Sequence, residues 1–295
     1  MPDGSASPLL LGGRYELGPL LGIGTSARVH RAHDLLLDRP VAIKLFRRDV
    51  AASEVPASGV AEPDVVTAPK VAAVPAAQVQ AEGRALAALA HPNVVQVHDC
   101  VAVDTESSWS LAYLVMEFVD GPTLASYCAQ GPIHPARLAQ IGAQLGAALA
   151  HVHAHGIVHR DVKPANVLID SSGLVRLVDF GVMRLLDQAD PGRPALTGLT
   201  VGTAPYLSPE QIRQHDVGPP TDVYALGLVL LEGLTGRREY TGDPVACALA
   251  RLTRPPVIAP WLPGPWPTLL TAMTAAQPAD RPTALAVSTA LSSPA

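Results

Sequence analysis

The stretch from Ile157 to Val182 constrains this chain more than any other. It reads IVHRDVKPANVLID, then a turn at Ser171, Ser172 and Gly173, then LVRLVDFGV. An Ala- and Leu-rich helix is expected upstream over 138–155, ending at Gly156, a residue suited to the position just past a helix C-terminus. The polar loop that follows is flanked by short apolar strands. Asp161, Lys163, Asn166 and Asp179 are therefore delivered to neighbouring loop ends. Two carboxylates, an amide and an ammonium that converge in this way suit a divalent cation and phosphate oxygens. A lone D-x-K-x-x-N arises by chance, but its combination with a downstream DFG does not.

Lysine usage draws attention to a second position. The chain holds 18 arginines and only three lysines, Lys44, Lys70 and Lys163. Lys44 stands in VAIKLF, whose alternation puts Val41, Ile43 and Leu45 on one face of a strand and Ala42, Lys44 and Phe46 on the other. Two readings are open: a lysine reaching solvent from an edge strand, or a cation held for an anionic ligand. A helix is expected from Ala76 to Ala90, stopped at His91-Pro92-Asn93. Val79, Glu82, Leu86 and Leu89 fall on one of its faces, so Glu82 interrupts an apolar stripe and becomes a natural partner for Lys44, unless that face is exposed. Upstream, GIGTSARV over Gly22–Val29 sits between two strand-like segments. Glycines two apart let a backbone approach phosphate closely, and a strand–turn–strand setting differs from the phosphate loops that open into a helix.

Bulk properties narrow the classes further. At 295 residues, with 48% hydrophobic content, the chain is long enough for one large domain or two modest lobes and is not wholesale disordered. A net charge of -5 supplies no basic footprint for nucleic acid. Cys100, Cys128 and Cys247 are far apart and show neither a disulfide framework nor zinc spacing, which fits a reducing, cytoplasmic setting. The N-terminus has no secretory pattern, and the longest apolar run, Val223 to Leu231, is too short to span a membrane. Residues 51–77, rich in Ala, Pro, Val and Ser without periodicity, read as a long flexible loop. His151 and His155 have the i, i+4 spacing that can bind zinc, but no HExxH completes it.

Taken in order, these segments resemble a eukaryotic-type protein kinase, and most closely the serine/threonine kinases of bacteria. The resemblance runs from about Arg14 to Leu291. It comprises the Gly-rich loop, Lys44, Glu82, HRD at 159–161, Lys163, Asn166, DFG at 179–181, GTAPYLSPE at 202–210, DVYALG at 222–227, and Arg281 placed to pair with Glu210. It implies an α+β, bilobal fold: a 1–13 tail, a β-rich small lobe over 14–118 with one main helix and the 51–77 insertion, a mostly helical large lobe over 119–291, and a 292–295 tail. Ala27 in place of the third loop glycine, Ser208 in place of alanine, and the long connection between Lys44 and Glu82 depart from the pattern. None removes a charged catalytic group.

The resemblance also implies roles. Lys44, oriented by Glu82, holds nucleotide phosphates under the amides of Gly22 and Gly24. Asn166 and Asp179 bind Mg2+ or Mn2+, Asp161 handles the acceptor hydroxyl, and Lys163 neutralises the moving phosphoryl group. Leu21, Val29, Ala42 and Leu168 wall the adenine of ATP, with Met116 at the gatekeeper place and the backbone of Glu117 and Val119 at its edge. Thr197 and Thr200 are the expected autophosphorylation sites, paired with Arg160, while Thr203 bonds the catalytic residues. Tyr113 and Tyr206 are expected in the core or at a pocket rim. Protein Ser/Thr acceptors are the expected partners, including a second copy in trans through a transient dimer. Two rival classes are a nucleotide-binding pseudokinase scaffold and a small-molecule phosphotransferase.

Overall fold

The computed structural model describes residues 9–24, 27–46, 76–103, 111–180 and 204–292. The chain divides into two compact units, Met1–Ala88 with Val97–Phe118, and Leu89–Gln96 with Val119–Ala295.

The first unit is built on an antiparallel sheet of β1 (Leu10–Leu11), β2 (Tyr15–Ile23), β3 (Ala27–Asp34), β4 (Arg39–Phe46), β5 (Val97–Val103) and β6 (Leu111–Glu117), in the order β1-β2-β3-β4-β6-β5. The alternation read in VAIKLF holds: Val41 and Ile43 are fully buried with Leu11, Tyr15, Tyr113 and Val115, and Leu45 packs against them. The expected 1–13 tail needs correcting, because Leu10 and Leu11 pair with Glu16 and Tyr15. Gly12 and Gly13, at φ 57° and 67°, turn the chain back in a conformation that glycine adopts without strain. Asp34, with no exposed surface, accepts two hydrogen bonds from Arg14 at 2.7 Å and the amide N–H groups of Leu36 and Leu37. The guanidinium above all, with those amides, holds its carboxyl down at about 2.

Helix α1 spans Ala76–Ala87, so it takes in the last two residues of the expected 51–77 loop and stops before Ala90. Alanines at 76 and 77 propagate a helix readily, which composition read as loop. The rest of that insertion lies outside the described residues, as do the side chains of Val79 and Glu82.

The second unit takes residues 89–96, a correction to the expected small lobe over 14–118. The reason is backbone pairing. Leu177 N–H donates to Asn93 O at 2.9 Å, Val95 N–H donates to Leu177 O at 3.0 Å, and the Asn93 amide donates to Val175 O and Gln144 Oε1. The unit comprises α2 (Leu124–Cys128), α3 (Pro135–Ala154), a hairpin of β7 (Val167–Ile169) and β8 (Val175–Leu177), then α4 (Pro209–Arg213), α5 (Pro219–Thr235), α6 (Pro244–Thr253), α7 (Trp266–Met273) and α8 (Ala284–Ser292). Helix α5 is buried on every side from Thr221 to Leu234, as expected for a helix apolar all round. Helix α8 lies so close to α3 that a Cβ on Gly146 would meet Ser288 N at 2.8 Å. Among the described residues no helix is long and apolar enough to cross a membrane.

Candidate active site

The loop after α3 is fixed by one buried carboxylate. Asp222, in the first turn of α5 and without exposed surface, accepts the N–H of His159 at 2.8 Å and that of Arg160 at 2.7 Å. His153 Nε2 lies 2.8 Å from the same carboxylate. A carboxylate there only accepts, so Nε2 is the protonated nitrogen. The Gln211 amide donates to Arg160 O at 3.0 Å, and Arg160 itself stands at φ 65°. A bulky residue held in the left-handed region is strained, so it persists only where neighbours over-determine it, as Asp222 and Gln211 do here.

His159 is the hinge of this arrangement. Its Nδ1 accepts the N–H of Asp161 at 3.3 Å, its Nε2 donates to Val178 O at 3.1 Å, and its ring packs at a tilt of 41° against Phe180, centroids 4.7 Å apart. Complete burial pushes its pKa below the ordinary value, against the opposing pull of Asp222, Asp161 and Asp179. A neutral ring that donates from one nitrogen and accepts at the other suits both bonds at once. HRD and DFG are thereby joined through a single imidazole.

Asp161, Lys163 and Asn166 are brought together. Asp161 Oδ2 accepts from Lys163 Nζ at 2.8 Å and from Asn166 Nδ2 at 3.1 Å, and Asn166 Nδ2 also donates to Asp161 O at 2.8 Å. Asp161 Oδ1 is buried and has no hydrogen-bond partner among the described residues. Val178 N–H donates to Asn166 O at 3.0 Å, which sets Asp179, at φ 66°, beside Asn166 in the chain path. With its Nδ2 spent on Asp161, Asn166 has its side-chain oxygen as remaining acceptor. An amide oxygen and the Asp179 carboxylate are hard donors of the kind a divalent cation takes, and the orphaned Asp161 oxygen lacks only a hydroxyl to accept from. These residues fit a magnesium–nucleotide substrate.

The segment leading into α4 forms a second buried assembly. Glu210 is held by both nitrogens of the Arg281 fork, at 2.7 and 2.9 Å, and by the Thr221 hydroxyl at 2.7 Å. Burial alone would raise the Glu210 carboxyl; these bonds hold it below its ordinary value. Ser208 caps α4, its Oγ accepting from Gln211 N while Gln211 Oε1 accepts from Ser208 N. Serine in place of alanine is thus a capping residue. Tyr206 is buried and donates to Glu232, and Tyr113 lies in the first unit's core.

In the first unit, Gly22 pairs with Val29, and Gly24 N–H donates to Ala27 O at 2.8 Å, closing the turn as a β-hairpin. Leu21 is half exposed. Ala42 faces Met116 across β4 and β6, both buried, and Lys44 pairs with Leu114 on one side and Val29 on the other. Glu117 ends β6. In the second unit, Val119 opens the longer of its two segments and Leu168 in β7 bridges to Thr123. Gly181, Thr197, Thr200, Gly202 and Thr203 lie outside the described residues, as does the Glu82 side chain. Gln211 is a site residue that sequence reasoning missed, and the bonds of Asp222 to His153, His159 and Arg160 were not legible either. The signals at Asp222 were its place at the head of DVYALG and a charge opening an otherwise apolar helix.

A family model described as protein kinase domain matches residues 15–290. Serine/threonine-protein kinase PknB of Mycolicibacterium smegmatis is 42% identical over 254 residues, covering 85% of this chain and 37% of its own. PknB of Mycobacterium leprae is 39% identical, with 85% and 37% covered. A probable serine/threonine-protein kinase of Streptomyces coelicolor is 39% identical, with 84% and 34% covered. The chain thus spans little more than a third of the length of these curated relatives.

Proposed function

The chain belongs to the protein kinase domain family, and from that premise we propose that it is a serine/threonine protein kinase, transferring the γ-phosphoryl group of ATP to hydroxyls of protein serine and threonine. The observation that carries the reading is the bonded trio Asp161, Lys163 and Asn166, with Asp161 Oδ1 left without a partner among the described residues.

When bound, Mg2+ or Mn2+ neutralises phosphate oxygens and draws charge from the transferred group. Everything else falls to the chain's own residues. Asp161 Oδ1 accepts a hydrogen bond from the acceptor hydroxyl and aims its oxygen. Lys163, tethered to Oδ2 of the same carboxylate, keeps a positive charge where phosphoryl charge develops. Asn166 and Asp179 offer oxygens to the cation. Lys44, oriented by Glu82, holds α and β phosphates beneath the amides of Gly22 and Gly24. Leu21, Val29, Ala42 and Leu168 enclose adenine, whose edge meets the backbone of Glu117 and Val119. Placement and electrostatics supply most of the acceleration in such a reaction, because phosphoryl transfer asks little covalent chemistry of the protein.

Acceptor class and regulation belong to the same proposal. Lys163 two residues after Asp161 favours serine and threonine over tyrosine, and the Tyr206–Glu210 platform favours a protein chain over a metabolite. A second copy acting in trans phosphorylates Thr197 or Thr200. The phosphate then pairs with Arg160 through charge-assisted hydrogen bonds. Cytoplasmic placement follows from the reading of the cysteines.

A panel of protein and metabolite acceptors, with MgATP as donor, tests the assignment. Transfer to protein serine or threonine is expected, with Asp161→Ala slower by about 10² to 10⁴. Transfer only to metabolites, or nucleotide binding without turnover, contradicts it.

A further inference from the structure

Helix α1 meets the sheet through a glycine. Gly83 is buried, and a Cβ built on it would lie 2.3 Å from Cys100 Sγ and 2.5 Å from Cys100 Cβ, with Leu114 Cδ1 next at 3.9 Å. The helix backbone therefore rests directly on the Cys100 side chain. Two residues along the same strand, Ala102 O accepts from Gln80 Nε2 at 3.2 Å, a second tie between α1 and β5. In the sheet register Cys100 pairs with Leu114, and Leu114 pairs with Lys44. Directly paired residues share a face of the sheet, so Cys100, Leu114 and Lys44 form one row. Gly83 sits at the β5 end of that row, and Glu82 is its neighbour on the helix.

Glycine is a poor choice in a helix interior, so one held there has a packing reason. The same helix carries alanine at 76, 77, 81, 85 and 87, so alanine is otherwise well used in it. What excludes it at 83 is the distance to Cys100. A single methyl group would have to lift α1 or displace β5, and a helix moves as a body.

We propose that Gly83 and Cys100 are a positioning pair: their contact sets the height of α1 above the sheet, and so the separation of Glu82 from Lys44. This rests on the reading of Lys44 as the phosphate-holding lysine oriented by Glu82.

The test is a size swap read through ATP kinetics on the full chain, with casein as acceptor and thermal unfolding recorded for every variant. Gly83→Ala is expected to lower kcat/KM for ATP by about 10- to 10²-fold, the scale of a misplacement of about 1 Å, while KM for casein stays within about twofold. Cys100→Gly removes both clashing atoms, so the Gly83→Ala, Cys100→Gly double variant should return to within about twofold of Cys100→Gly alone. That comparison also decides the matter if Gly83→Ala does not fold. In a Glu82→Gln background, Gly83→Ala should cost nothing further, a result that a merely structural role would not give.

The pair is overturned by wild-type ATP kinetics in Gly83→Ala, by a folded double variant that recovers nothing, or by an undiminished Gly83→Ala effect beside Glu82→Gln. If Glu82→Gln is itself fully active, the Lys44–Glu82 reading fails and the pair with it. If Glu82→Gln is impaired and Gly83→Ala is not, only the pair fails.

Discussion

Asp222 fixes the loop after α3 from outside it. One carboxylate receives the N–H groups of two consecutive loop residues, His159 and Arg160, together with His153 of α3. Asp222→Asn keeps the shape but turns one acceptor into a donor facing an N–H. We expect unfolding in urea to lose about 1 to 3 kcal/mol, the cost of a buried unsatisfied group, with a parallel fall in kcat. Unchanged stability and turnover would show that the loop is held by other means. Single residues were legible in the sequence where they broke an apolar pattern close to their partners. Asp161, Lys163 and Asn166 lie within five residues of one another and were all read. His153 and Gln211 lie 69 and 51 residues from the groups they bond, and local pattern carries no trace of such pairings.

At the scale of elements, periodicity carried β4 and most of α1, because each has enough residues to show its repeat. Strand β1 has two residues and no period, so it was read as tail, although it helps close the core that holds Tyr15. Residues 89–96 went to the wrong unit because their attachment is a register with β8, which no local signal encodes. The turn between β3 and β4 yields a pH prediction. The Asp34 carboxyl is held at about 2, below the ordinary carboxylate value of about 3.9, chiefly by Arg14. A depressed acid contributes stability that is complete above the unfolded value and lost as pH falls through the folded one. Unfolding free energy measured from about pH 5 to about pH 2 should therefore fall more steeply in the wild type than in Asp34→Asn. Parallel acid limbs would remove this ion pair from the account.

Across the whole molecule, the α+β architecture read from the motifs is the one the family match supports, with a sheet-built first unit and a helical second unit. Glu210 and Arg281, 71 residues apart, tie the start of α4 to the segment entering the last helix. Arg281→Met leaves a buried carboxylate unpaired and should destabilise by about 3 to 5 kcal/mol, read as a lowered Tm, whereas Glu210→Gln beside it should recover part of the loss. Equal stability in all forms would make the pair dispensable. The central claim is that this chain moves phosphoryl groups onto serine and threonine through Asp161. Its most direct measurement is phosphosite mapping by mass spectrometry after incubation with Mg2+ and ATP, beside an Asp161→Asn control. The account predicts phosphoserine or phosphothreonine in the wild type, Thr197 or Thr200 among the sites, and none in the control; an unmodified wild type, or equal modification in both, would contradict it.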